Sequence, residues 1–226
     1  MPRVKKAGKV LVRVLLFIVF VVGILLIFNE PIKNWLVSTM SERQMNVSRQ
    51  QIQENELHKG QFDFAKVKSI DTTQVVQAAV NSDVSVIGKL AIPAVGMRLP
   101  IVKGLSDAAL STGGGTMKPD QVMGEGNYAL AGHYMTNKGI LFSPLEDTQL
   151  GQQVYLTDLE HVYIYKITWK KIVDPTAVYL INDVSGDTMV TLITCADGGV
   201  NRWAIRGHLV SREPANKQTL AVFSAQ

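Results

Sequence analysis

From Val10 to Phe28 the chain reads VLVRVLLFIVFVVGILLIF, an apolar run broken by one charge, Arg13. Such a run has no place on a water-facing surface, so the chain divides there. As a helix it is roughly 28 Å long at about 1.5 Å per residue, close to the hydrocarbon thickness of a bilayer. Arg13 stands near its start and can reach back to the headgroups. Arg3, Lys5, Lys6 and Lys9 precede it, so the positive-inside rule puts residues 1–9 in the cytoplasm and everything after 28 outside. A cleaved signal peptide is the alternative. Asn29, Glu30, Pro31 and Ile32 follow the run, without a small-x-small cleavage pattern. The expectation is an uncleaved transmembrane anchor over 10–28.

The basic flank also accounts for the net charge of +4 and the pI of 9.1. Without its five cations the rest of the chain is slightly acidic, which excludes a nucleic-acid footprint. With one cysteine in 226 residues, an intrachain disulfide and a multi-cysteine metal site are excluded.

Residues 29–81 are polar and poor in Gly and Pro. Ile32, Leu36 and Met40 recur every four residues, Ser41 to Leu57 reads as an exposed helix, Gly60 as a stop, and Asp71 as a cap for a helix over 72–80. The stretch is expected to be an extracellular stalk, or alternatively a peripheral helical layer of the main domain. From about Ser82 short strands and turns take over and run to 226. Strands are expected at 85–92, 99–103, 127–132, 154–157, 162–171, 189–195 and 203–210, with a short helix at 106–110 capped by Ser106. Tyr163, Tyr165, Ile167 and Trp169 share one face at period two. Gly113-Gly114-Gly115 reads as a turn. No GK[ST] follows, so it is no phosphate loop. Many strands and few helices point to a mainly β fold, one closed or nearly closed barrel.

Cys195 ends an apolar strand and precedes the turn Ala196 to Asn201. A free cysteine is commonly a small buried hydrophobe, but outside a cell an idle thiol is an oxidation liability. A cysteine nucleophile needs an imidazole and a positive group nearby. Of the four histidines, His58 falls in the stalk, His161 in a turn and His208 in the last strand. His133 follows Tyr128-Ala129-Leu130-Ala131-Gly132, at the end of another apolar strand. Arg202 lies seven residues after Cys195, where a strand–turn–strand brings it back beside the thiol.

Leu130-Ala131-Gly132-His133, Thr191-Leu192-Ile193-Thr194-Cys195 and Arg202 together closely resemble the three active-site signatures of the sortases, cysteine transpeptidases of Gram-positive bacteria. Ile87 to Pro93, Leu99 to Gly104, Gly114 to Met117 and Gly151 to Tyr155 fit the same pattern, so the resemblance covers about 84–211. The absence of a second apolar span after the domain is similar to class A, the housekeeping type. The resemblance implies an eight-stranded β-barrel with short helices, behind a transmembrane helix and a helical stalk. It implies cleavage of an LPxTG-type signal between Thr and Gly, and transfer of the surface protein to an amine of a lipid II-type cell-wall precursor. Cys195 is then the nucleophile, His133 the acid and base, and Arg202 the oxyanion or backbone partner. Thr194 and Arg206 are further candidates for substrate contact. Period two puts Arg206 on the face of Arg202, so it is also a second candidate for the site's cation.

One departure concerns metal. Some class A sortases bind calcium through carboxylates in the loop before the histidine strand. Here Lys118 stands where one is expected, in Thr116 to Glu125. An ammonium opposes the ion and can replace its charge, so neither metal nor cofactor is expected. The rival readings are a cysteine hydrolase with water as acceptor and a non-enzymatic, membrane-anchored wall-binding module.

Overall fold

The computed structural model describes residues 2–63, 67, 72–80 and 84–224. Five helices and eight strands occur among them: α1 (Pro2–Ile27), α2 (Asn29–Gln44), α3 (Arg49–Glu56), α4 (Thr72–Val80), β1 (Val86–Ile92), β2 (Met97–Val102), α5 (Asp107–Thr112), β3 (Gly114–Thr116), β4 (Asn127–Ala131), β5 (Gln153–Thr157), β6 (His161–Val173), β7 (Met189–Ala196) and β8 (Asn201–Pro214). The strands close into a barrel in the order β1-β2-β3-β4-β7-β8-β6-β5. Two of its seams, β2–β3 and β4–β7, are parallel.

Alternation divides the side chains between barrel interior and exterior. Leu90, Ile101, Tyr128, Leu130, Leu156, Tyr165, Val190, Leu192 and Ile205 fill the inside and are almost fully buried. The outer faces of β4 and β7 carry a second apolar group, in which Ala129, Ala131 and Ile193 meet Leu105, Leu110, Met117 and Ile181.

Three expectations change. The Gly113–Gly115 stretch is not only a turn: Gly114 and Gly115 belong to β3, pairing in parallel with Ile101 and Val102. A Cβ on Gly115 would run into the Gly104 carbonyl, so only glycine lets these backbones approach. Trp169 does not share the face of Tyr163, Tyr165 and Ile167. Ile167 pairs with Gly207 and Trp169 with Arg206, so Thr168 is an extra residue, and this bulge turns Trp169 over to the exterior.

The third change concerns residues 29–81, whose described parts do not stand off as a stalk. Val37 of α2 and Val75 of α4 are fully buried in the same apolar cluster as Leu90, Ile92 and Met97. The alternative of a helical layer on the main domain describes them. Ser48 starts α3 with a capping box: its side chain accepts from the Gln51 amide, and the Gln51 side chain accepts from the Ser48 amide. Ser106 caps α5 by accepting from the Ala109 amide at 3.2 Å. Asp71, the expected cap of α4, lies outside the described residues.

At the N-terminus, no single helix among the described residues is long and apolar enough to cross a membrane. Val12–Ile24 and Asn29–Gln44 meet that test only together, as a pair bent by 61°. Leu16, Phe17, Val19 and Phe20 of α1 are exposed.

Candidate active site

Backbone pairing brings the three expected residues together. On the parallel seam Ala131 pairs with Ile193. Two residues further along both strands are His133 and Cys195, which therefore come level. The Gly132 amide donates to the Ile193 carbonyl at 3.1 Å, and the Thr194 hydroxyl donates to the Gly132 carbonyl at 2.8 Å, which extends the alignment past the end of β4. On the other side of β7, Cys195 pairs directly with Arg202 across the antiparallel β7–β8 hairpin. The connecting turn needs left-handed backbone at Asp197, Gly198 and Gly199, and two of the three are glycines.

Each side chain has a defined setting. His133 is 7% exposed. Burial lowers its pKa from 6.5 to about 4, so the imidazole is neutral at pH 7. Its backbone is anchored by the Phe142 amide, which donates to the His133 carbonyl at 3.1 Å. Gly132 makes room for that packing, because a Cβ there would run into the Phe142 ring. Cys195 is half-buried. Arg202 Nη1 donates to the carbonyls of Gly199 at 2.8 Å and Asn201 at 2.9 Å, so the turn orients the guanidinium.

His133, Cys195 and Arg202 line one cavity of about 580 Å³. Its remaining walls are largely apolar. Ile193 lies on β7, Leu105 and Leu110 come from around α5, and Val178, Leu180 and Ile181 come from the loop between β6 and β7. These apolar residues were not anticipated as site residues. They are distant in sequence, and their only local signal is hydrophobicity, which the core shares.

The other candidates have different settings. Thr194 borders the cavity but is 2% exposed, and its hydroxyl proton goes to Gly132, a strand-to-strand tie. Arg206 is on the face of Arg202, as period two requires, yet its Nη2 donates to the Leu180 carbonyl at 2.6 Å and its guanidinium lies 5.8 Å from the Trp169 ring. His58 contacts Ser85, His161 contacts Arg212 and His208 faces Asp187 at 3.8 Å, all away from the cavity. The Lys118 ammonium sits 2.6 Å from Asp183 Oδ1, beside a smaller cavity of about 250 Å³ that Asp120 and Glu125 also line. The same oxygen accepts from the Asn127 amide at 2.8 Å. The Lys118 hydrogen bond leads in holding the Asp183 carboxyl below the usual range. With a cation already on this carboxylate, these residues do not fit a calcium ion. Among the described residues no three His, Cys, Asp or Glu converge as metal ligands.

A sortase domain model matches residues 90–210. This chain belongs to the sortase family. It is 42% identical over 191 residues to sortase A of Streptococcus agalactiae, covering 81% of this chain and 77% of that protein. Sortase A of Listeria monocytogenes is 40% identical over 181 residues, covering 79% and 81% respectively. The solved structure of the Listeria sortase A superposes with a TM-score of 0.60 at 39% identity, over 62% of this chain and 99% of that one. Sortase C-3 of Streptococcus pneumoniae, at 19% identity and a TM-score of 0.59, shares the fold. The similarity to sortase A proteins over most of the chain makes this a cysteine transpeptidase of class A.

Proposed function

We propose that Cys195, His133 and Arg202 carry out the transpeptidation on an LPxTG-type sorting signal, cut between Thr and Gly. One observation supports this most directly: two strand pairings set an imidazole and a guanidinium on either side of a half-buried thiol, in one cavity.

The neutral imidazole sets the order of proton transfers. As Cys195 Sγ attacks the threonyl carbonyl carbon, the thiol proton passes to His133. Negative charge develops on the carbonyl oxygen beside Arg202, whose guanidinium the turn carbonyls hold in place. The tetrahedral species collapses, the C–N bond breaks, and His133 returns its proton to the departing glycyl amine. A thioacyl enzyme remains. The incoming amine of a cell-wall precursor attacks it, gives a proton to His133, and displaces the Cys195 thiolate, which recovers that proton. Thr194 takes a positioning role, since its hydroxyl joins the two strands that bear the acid–base pair.

The chain is proposed to sit in the cell membrane through residues 10–28, with residues 1–9 in the cytoplasm and the barrel outside. The exposed apolar side chains of α1 support this reading. The test of function is to incubate the purified full chain with an LPxTG peptide, with and without an oligoglycine or other amine, and to weigh the products. The expected products are an amine-ligated peptide and, before acceptor is added, a thioacyl adduct on Cys195. Hydrolysis alone, unchanged by amine, would favour the cysteine hydrolase. Turnover by Cys195→Ala would refute the assignment.

A further inference from the structure

The apolar wall formed by Leu180 and Ile181 belongs to residues 174–188, a connection whose regular structure is one 3-10 turn, Val178–Ile181. A segment of that kind does not hold its place by its own hydrogen bonds, yet Leu180 is only 3% exposed and Ile181 6%. Two side chains from different strands converge on one of its carbonyls. Arg206 Nη2, from β8, donates to the Leu180 carbonyl at 2.6 Å. Asn127 Nδ2, from β4, donates to the same carbonyl at 2.8 Å and to the Asn182 carbonyl at 3.0 Å. The amide of Asn127 has one workable orientation, because its Oδ1 accepts from the Thr191 hydroxyl at 2.7 Å. Asn127 and Thr191 are 1% and 0% exposed. On its other side the Arg206 guanidinium rests on Trp169, the residue that the β6 bulge turned outward.

We propose that Arg206 is a positioning residue for peptide capture. With Asn127 it clamps the Leu180 carbonyl and so holds the Leu180–Ile181 wall against the cavity, while the bond chemistry is left to Cys195, His133 and Arg202. This inference rests on the transpeptidase reading for its kinetic test, though not for its structural one. A clamp that acts through the wall changes how well the peptide is held. It leaves the thiol, the imidazole and the guanidinium across from them where they were. Both donors share one acceptor, so loss of either should loosen the same segment and their effects should not multiply.

The experiment compares the full chain with Arg206→Ala, Arg206→Lys, Thr191→Val and the Arg206→Ala/Thr191→Val pair. Thr191→Val keeps the side-chain shape and frees the Asn127 amide. For Arg206→Ala the expected result is a KM for the LPxTG peptide raised on the order of tenfold, the scale of losing one charge-assisted hydrogen bond, with kcat changed much less. Alkylation of Cys195 by iodoacetamide should keep its wild-type rate. Arg206→Lys, which retains a cation able to donate to Leu180, should recover much of the KM. The double variant should fall short of the product of the singles. Independently of any turnover, hydrogen exchange over 174–188 should speed up in Arg206→Ala and leave β7 and β8 protected. A fall in kcat at unchanged KM would overturn the proposal and make Arg206 a catalytic group. Unchanged exchange over 174–188 would overturn it as well, by showing that the segment is held without Arg206. A wild-type chain without turnover, whose segment still loosens on substitution, would refute the transpeptidase reading and keep the clamp.

Discussion

Burial of His133 has a cost that can be measured. Its folded-state pKa of about 4 lies below the 6.5 of a free imidazole. Between these two values the unfolded chain binds a proton that the folded chain does not. Stability therefore rises with pH through the window from about 4 to 6.5, and below it the full penalty applies. At 1.36 kcal/mol per pH unit, the span is worth roughly 3 kcal/mol, a large part of the stability of a domain this size. Urea unfolding of the full chain at pH 7 and pH 4.5, beside His133→Gln, isolates the effect, because the carboxylates titrate in both proteins. Wild type should lose roughly 2 to 3 kcal/mol more than the variant on acidification. Equal losses would refute the reasoning. They would mean that the imidazole is solvated in the folded protein.

The remaining expectations concern the cation of the site, the metal and the domain boundary. Arg202→Ala should slow acylation about 10²–10³-fold, the usual effect of losing one oxyanion donor. Arg202→Lys should recover only part of this, since an ammonium lacks the planar fork in which Nη1 holds the Gly199 and Asn201 carbonyls while the other nitrogens remain free to donate, and single-turnover kinetics would check both. Calcium should leave peptide turnover unchanged because Lys118 occupies Asp183, and a rate increase with millimolar calcium, lost on chelation, would contradict that. A fragment starting at residue 82 should aggregate, whereas one starting at 29 should give a cooperative melt. Val37, Ile52 and Val75 are each worth about 1.5–3 kcal/mol of burial, which the shorter fragment forfeits.

Seven of the eight barrel strands were legible in the sequence to within a few residues, because their apolar runs are bounded by turns and the β pattern is local; β3, three residues in a glycine run, reads as a turn. His133, Cys195 and Arg202 were legible because three short motifs in the right order carry them. The parallel β4–β7 pairing was not. It joins segments more than fifty residues apart, and without it nothing shows why the Thr194 hydroxyl donates to the Gly132 carbonyl. Trp169 was assigned to the wrong face because strict period two assumes an unbroken ladder, and a single extra residue at Thr168 reverses it. The helices of 29–81 looked like a stalk because each buries only a few apolar side chains. The residues that α2 buries are Val37 and Met40 beside the polar Lys33 and Ser41, and the surface that receives them belongs to a barrel that folds from later sequence.

A neutral His133 also bears on the reactivity of the free Cys195 thiol. An imidazole that resists protonation is a poor resting-state proton acceptor, and in the proposed mechanism the thiol gives up its proton as the peptide is attacked. In that mechanism the developing imidazolium would gain an oxyanion nearby, and Arg202 would share the same charge. Before that moment, neither charge has its partner. Reactivity is then tied to the occupied cavity, whose apolar wall is held by Arg206 and Asn127 and whose register is held by Thr194. Small oxidants bring no carbonyl to that pocket and find a half-buried thiol beside a neutral ring. On the proposed mechanism, geometry set by strand pairing is what makes Cys195 selective for its peptide.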